Sequence, residues 1–228
     1  MKNIILLHGA IGASDQLIPL SEELSEAGFN CYKFDFSGHG HSSFKSEFGI
    51  VTFSIELKEF ILKNKLNKPD VFGYSMGGFV ALLTAFHNPE LIGKIITLGT
   101  KFDWSPEVAK KEVQMLDPEI ITNKIPEFAN SLYTMHGEKW KELLAKTAGM
   151  MKELGNKNPL DEVTFSKINN RVVIGRAEND KMVSKNETNY AAGKIKDAEL
   201  FELPNSKHPL DSCNPKELSK TISQYLGL

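Results

Sequence analysis

The sequence predicts an α/β protein: a mostly parallel sheet of about six strands with helices on both faces. Three observations carry that prediction. Short apolar runs alternate along the chain with amphipathic stretches of helical length. The runs are near-continuously apolar, as in strands covered on both faces, and not alternating. Glycine-bearing turns follow the first three of them.

In chain order, residues 4–7 are the first strand, and residues 15–27 a helix with Leu17, Leu20 and Leu24 on one face and Gly28 as its stop. Residues 30–36 are the second strand. Residues 53–66 are helical, with Ile55, Leu57, Phe60, Ile61 and Leu62 apolar. A strand at 71–74, a helix at 79–87 and a strand at 94–98 follow. Later, strands at 171–174 and 199–203 flank a helix at 184–196, and a last helix covers 215–225. Residues 102–166 break the alternation. They carry no strand pattern but several helical ones, clearest at 107–116 and 139–154, and read as an insertion between two strands. The expected organisation is therefore a core of residues 1–101 and 167–228 with a helical insertion at 102–166.

Whole-chain properties narrow the function. A chain of 228 residues, 41% hydrophobic and 25% charged, suits one domain with a modest insertion. The formal net charge of −2 argues against a nucleic-acid binder. The two cysteines, Cys31 and Cys213, are too few for a disulfide framework, and Cys31 is expected to be a small buried apolar residue. The first apolar run is too short for a signal-peptide core, and nowhere do 18 apolar residues run together. A cytoplasmic protein without a membrane span is expected.

The strongest local signal is Gly73-Tyr74-Ser75-Met76-Gly77-Gly78, between a strand and a helix. A G-x-S-x-G sequence in that context marks a sharp turn that strains the serine and needs side-chain-free neighbours for the strand and helix to pack. The hydroxyl of Ser75 then stands at the carboxyl end of the sheet as a nucleophile. The Met76 N–H points to where an oxyanion would form. After the first strand, His8-Gly9-Ala10-Ile11-Gly12 supplies a second candidate donor, the Ala10 N–H, with His8 shaping the loop. A third loop, Asp35-Phe36-Ser37-Gly38-His39-Gly40-His41-Ser42, gathers histidines, but His39 and His41 lack a third ligand at metal-site spacing. No metal or cofactor is expected.

A serine nucleophile needs a base, and the base an orienting acid. Asp180 follows the strand at 171–174, and His208 follows the strand at 199–203, both at the edge where Ser75 emerges. That matches the chain order serine, acid, histidine. His87, His136, His39 and His41 lie elsewhere, and none follows the last strand. Asp103, after the strand at 94–98, and Glu178 stay open as alternatives to Asp180 for the acid.

Together these residues resemble the α/β-hydrolase superfamily. The resemblance rests on the His-Gly loop at 8–12, the Asp-x-x-Gly-His-Gly-x-Ser loop at 35–42, the elbow at 73–78, Asp180-x-x-Val183 and His208, and it spans most of the chain outside the insertion. It implies an α/β-hydrolase fold in which the insertion is a helical cap over the site, contributing substrate-pocket residues. Trp104, Met115, Phe128, Tyr133, Met135, Trp140, Met150 and Met151 are candidates for that pocket or for packing the cap onto the core. The chain starts almost at its first parallel strand, so the antiparallel hairpin that often opens this fold is expected to be missing. Small-cap esterases and lactonases resemble the chain most. Dehalogenases of this fold, which have an aspartate nucleophile where Ser75 stands, resemble it less.

The function expected from these residues is a serine hydrolase cleaving a small, apolar carboxylic ester, thioester or lactone through an acyl-enzyme on Ser75. Alternatives are the same residues used for C–C bond hydrolysis, perhydrolysis or a lyase step, or a ligand-binding module on the same fold.

Overall fold

The computed structural model describes residues 1–227. Six strands form one all-parallel sheet: β1 (Lys2–Leu7), β2 (Phe29–Lys33), β3 (Asp70–Tyr74), β4 (Ile95–Leu98), β5 (Val172–Ala177) and β6 (Glu199–Leu203), in the spatial order β2-β1-β3-β4-β5-β6. The strands sit where the apolar runs place them. β2 is the exception in extent, ending at Lys33 instead of continuing to Phe36. Phe34 and Phe36 leave the sheet because their rings have better partners. Phe34 stacks on Phe60 at 4.5 Å, and Phe36 packs against Phe53 at 5.0 Å.

Side-chain alternation sorts the strands' residues onto two faces. Ile4, Leu6, Phe72, Ile96 and Val173 join Leu17, Leu20 and Leu24 beside α1 (Ile18–Glu26) and Leu218 and Ile222 of α10 (Pro215–Leu226). Ile5, Leu7, Val71, Ile95 and Ile174 face the other way. They meet α2 (Ile50–Lys63), α3 (Met76–His87) and α9 (Lys185–Lys194). α2 begins three residues before its first expected residue, since Ile50 and Phe53 both reach the core. α3 starts directly after Ser75, so Gly77 and Gly78 belong to its first turn.

Between β4 and β5 lie five α-helices: α4 (Pro106–Val113), α5 (Pro118–Lys124), α6 (Pro126–His136), α7 (Trp140–Asn156) and α8 (Glu162–Ser166). Leu116, Ile121, Leu132, Trp140 and Leu144 gather in an apolar cluster of their own, and Ile11 packs against it.

The sheet reverses winding between β1 and β3. The chain steps from β1 outward to β2, then returns to place β3 on β1's other side. In open parallel sheets the carboxyl ends at such a reversal form a crevice. Here those ends carry the loop at 8–12 and Ser75.

The helix α2 tests the two-face sorting. Leu57 is fully buried and Leu62 is 57% exposed, although both are apolar. Leu57→Ala is expected to lower unfolding stability by about 2–5 kcal/mol and Leu62→Ala by no more than about 0.5 kcal/mol, read by urea denaturation.

Candidate active site

Ser75 occupies the turn between β3 and α3 with φ 51° and ψ −117°, a conformation costly for a residue with a side chain. Surrounding bonds hold it there. The Ser75 N–H donates to the Leu98 carbonyl at 2.8 Å, and its carbonyl accepts from the Thr100 hydroxyl at 2.9 Å and the Gly78 N–H at 3.0 Å. The glycines are required by contact. A Cβ on Gly73 would lie 2.5 Å from the Gly77 carbonyl, and one on Gly77 2.5 Å from the Leu7 carbonyl.

The loops after β5 and β6 bring Asp180 and His208 to this turn. Ser75 Oγ lies 3.4 Å from His208 Nε2, and His208 Nδ1 lies 2.8 Å from Asp180 Oδ2. The Asp180 carboxylate is fully buried. Burial raises its pKa, but the His208 hydrogen bond and charge and the Val183 and Met182 amides outweigh that and hold it below the usual carboxylate range. The two amides donate to Oδ1 at 2.9 and 2.8 Å, leaving Oδ2 for the ring. An ionised Asp180 accepts the Nδ1 proton, so the Nε2 lone pair faces Ser75.

The rival acids hold other positions. Asp103 is exposed, and its N–H donates to Glu187 Oε2 at 3.1 Å. Glu178 caps the loop of the histidine, its Oε2 accepting from the Asn205 N–H at 2.7 Å. The Glu178 and Asn179 amides also donate to the Leu203 and Ser206 carbonyls, each at 2.9 Å. Asp180 and His208 therefore ride on two loops laced together.

Tyr74 is a contributor that motif reasoning passed over. Its hydroxyl donates to the His208 carbonyl at 2.7 Å, tying the histidine's backbone to the residue before the serine. The variable position of the elbow motif carries the only sequence hint.

Ser75 and His208 open on a small, mostly apolar cavity. Ala10 and Met76 line it beside them. The Met76 amide is the first of its helix and has no intrahelical acceptor. Phe79 and Val183 come from the sheet layers, while Trp104, Met150, Met151 and Leu154 come from the stretch between β4 and β5. Of the other apolar candidates there, Trp140 packs into the helical cluster, and Met115, Phe128 and Tyr133 are exposed. Lys101 and Glu112 also line the cavity, paired at 3.5 Å.

Beside the site sits a group of buried histidines. His8 accepts the Phe36 N–H at Nε2 (3.2 Å), which leaves Nδ1 to donate to the Gly9 carbonyl at 2.8 Å. The His39 ring lies 4.9 Å from that of His8 and 6.3 Å from that of His136. Neither His39 nor His136 contacts Ser75. No group of three or more histidine, cysteine or acidic side chains among the described residues is arranged to hold a metal ion. Cys31, half-buried, and Cys213 are both free thiols. No helix among the described residues is long and apolar enough to cross a membrane.

Burial pushes the pKa of His8 down to about 4, the Gly9 carbonyl only partly offsetting it. Burial also lowers His39, reinforced by the neighbouring His8, and His136. An unfolded histidine takes its proton near pH 6.5, so on acidification the unfolded chain protonates first. Stability from His8 is complete above about pH 6.5 and is lost as the pH falls towards 4, and His39 and His136 act in the same direction. Urea unfolding at pH 7, 6 and 5 is expected to show a steady fall, up to about 1.4 kcal/mol per pH unit for each histidine. A midpoint constant over that range would contradict it.

Comparison with known proteins agrees with the fold. Residues 2–119 match the family described as alpha/beta hydrolase fold. The chain is 32% identical over 109 residues to a protein of Cyberlindnera fabianii named "Probable alcohol acetyltransferase", a match covering 46% of this chain and 29% of that protein. It is 27% identical over 146 residues to the pimeloyl-[acyl-carrier protein] methyl ester esterase of Aliivibrio fischeri, covering 63% of this chain and 52% of that one. The matches thus span about half or less of these relatives. Among solved structures, the 2-hydroxy-6-oxo-6-phenylhexa-2,4-dienoate hydrolase of Rhodococcus sp. strain RHA1 superposes with a TM-score of 0.80 at 19% identity, over 100% of this chain and 91% of that one. With its parallel sheet, its strained serine at the β3–α3 turn and this family match, the chain belongs to the alpha/beta hydrolase fold family.

Proposed function

We propose that this protein is a serine hydrolase that cleaves a small carboxylic ester, thioester or lactone through an acyl-enzyme on Ser75. The observation that carries this reading is the hydrogen-bonded series from Asp180 through His208 to Ser75, opening on an apolar cavity. The relatives named as an acetyltransferase and a methyl ester esterase support acyl chemistry. We read residues 102–166 as a cap on a core of 1–101 and 167–228, because Trp104, Met150 and Met151 reach the same cavity as Ser75. A cytoplasmic location belongs to this reading, in keeping with the two free cysteines.

The mechanism follows from the positions. His208 Nε2 takes the hydroxyl proton as Ser75 Oγ attacks the carbonyl carbon. Electrons move onto the carbonyl oxygen, and the Met76 and Ala10 amides donate to it. The imidazolium that forms is stabilised by Asp180, which stays ionised and keeps the ring in its Nδ1–H form. The intermediate collapses as His208 returns its proton to the leaving alkoxide or thiolate. A water molecule, deprotonated by the same Nε2, then attacks the acyl-enzyme, and the imidazolium returns that proton to Ser75 Oγ as the C–Oγ bond breaks and the acid leaves. The apolar walls suit a hydrocarbon acyl or alcohol group, and the Lys101–Glu112 pair sets a polar boundary to it.

The wild-type protein is expected to react with a fluorophosphonate and to hydrolyse p-nitrophenyl esters, with kcat/KM passing through a maximum as the acyl chain lengthens. Ser75→Ala should abolish labelling and turnover; a Ser75→Ala protein with full esterase activity would overturn the reading. Asp180→Asn should lower kcat by about 10³–10⁴, because a carboxamide can donate to Nδ1 and so favours the wrong tautomer. Labelling absent in the wild type, with a ligand stabilising the fold without turnover, would favour the binding-module alternative.

A further inference from the structure

We infer that His136 is a positioning residue for the loop that carries the Ala10 amide, an inference resting on the acyl-transfer reading above. His136 ends α6, in the stretch between β4 and β5, and is 4% exposed. Its Nδ1 lies 2.9 Å from the Gly40 N–H. A backbone amide can only donate, so Nδ1 must be the unprotonated nitrogen. The ring proton then sits on Nε2, which donates to the Ile11 carbonyl at 2.9 Å. Both nitrogens are thereby used, and the ring is neutral.

What Nε2 holds is a strained residue. Ile11 has φ 52°, in the left-handed region that a β-branched side chain disfavours. The Gly12 N–H donates to the Gly9 carbonyl at 3.2 Å, so residues 9–12 form a tight turn with Ala10 and Ile11 at its centre. A positive φ at the third turn position normally calls for glycine. With isoleucine there, the turn relaxes unless its carbonyl is fixed from outside, and relaxing it rotates the backbone next to Ala10. The Ile11 side chain gives a second anchor, packed on the cluster that includes Leu132 and Trp140. Lys139, three residues after His136, ties the same helical stretch to the neighbouring loop at 35–42 by donating to the Ser42 carbonyl. The helical insertion thus sets the shape of a loop that lies in the sheet core's sequence, and His136 is the polar link through which it does so.

The test compares His136→Asn with His136→Gln. Asparagine can still accept from Gly40 but is too short to reach Ile11, whereas glutamine can reach it. For a p-nitrophenyl ester, His136→Asn is expected to lower kcat by about 10- to 100-fold, up to the cost of one lost oxyanion donor, with KM within about twofold. Affinity for an alkyl boronic acid, whose Ser75 adduct places an oxygen at the amides, should fall by the same factor. His136→Gln should recover most of both. A wild-type kcat in His136→Asn, a loss as large in His136→Gln, or a change in thermal midpoint and KM alone would overturn the inference. Should neither variant fold, nitrogen-15 spectra of the wild-type ring decide: a proton on Nε2 is expected, and a proton on Nδ1 overturns the assignment. Ser75→Ala run alongside separates the two levels. An active Ser75→Ala protein removes the acyl-transfer reading and this inference with it, while an inactive one beside a fully active His136→Asn removes this inference alone.

Discussion

The backbone of Ser75 is the point on which the remaining geometry turns. A residue with a side chain at φ 51° and ψ −117° relaxes unless its neighbours forbid it. Leu98 and Thr100 of the adjoining strand and loop hold its amide and carbonyl. Gly73 and Gly77 let β3, β1 and α3 approach until no Cβ would fit. The sheet order puts β1 and β4 on either side of β3. One neighbour therefore delivers the loop of Ala10 and the other the bonds that fix the serine. Close packing, paid for in local strain, aims one hydroxyl.

Around that turn, charge is sorted by burial. Asp180 is kept ionised by two backbone amides and an imidazole. A few residues away in space, His8, His39 and His136 are kept neutral because burial outweighs their favourable contacts. The neutral rings of His8 and His136 each accept an amide at one nitrogen and donate from the other, a task an imidazolium could not do because it cannot accept, whereas His39 donates within its own loop to the Ser37 carbonyl. His208 differs in having a carboxylate on one side and an open cavity on the other.

Much of this was legible in the residues. Near-continuous apolar runs mark buried parallel strands, and all six formed where the runs lie. The glycines around Ser75 declared a turn tight enough to exclude side chains, and strand-end placement picked out Asp180 and His208. What pattern could not supply was side-chain preference among comparable partners. Phe34 and Phe36 look like strand residues and leave the sheet for aromatic neighbours. Ile55 and Leu62 are apolar yet face outward, because the core-facing stripe of α2 is set by Phe53, Leu57 and Ile61. Bonds between distant loops, such as Tyr74 to the His208 carbonyl or His136 to Ile11, leave no periodic trace. Trp104 and Met150 reach the cavity while Met115 and Phe128 are exposed, a difference decided by how the stretch between β4 and β5 packs on the core.

The bond from Tyr74 to His208 joins residues 134 positions apart, and Ser75 meets its histidine across 133. Contacts so remote in sequence close late, after the intervening chain has condensed. During synthesis Ser75 leaves the ribosome long before His208, so a half-made chain carries the strained turn without the histidine beside it. The two side chains meet only once β6 has docked on β5 and placed the histidine loop.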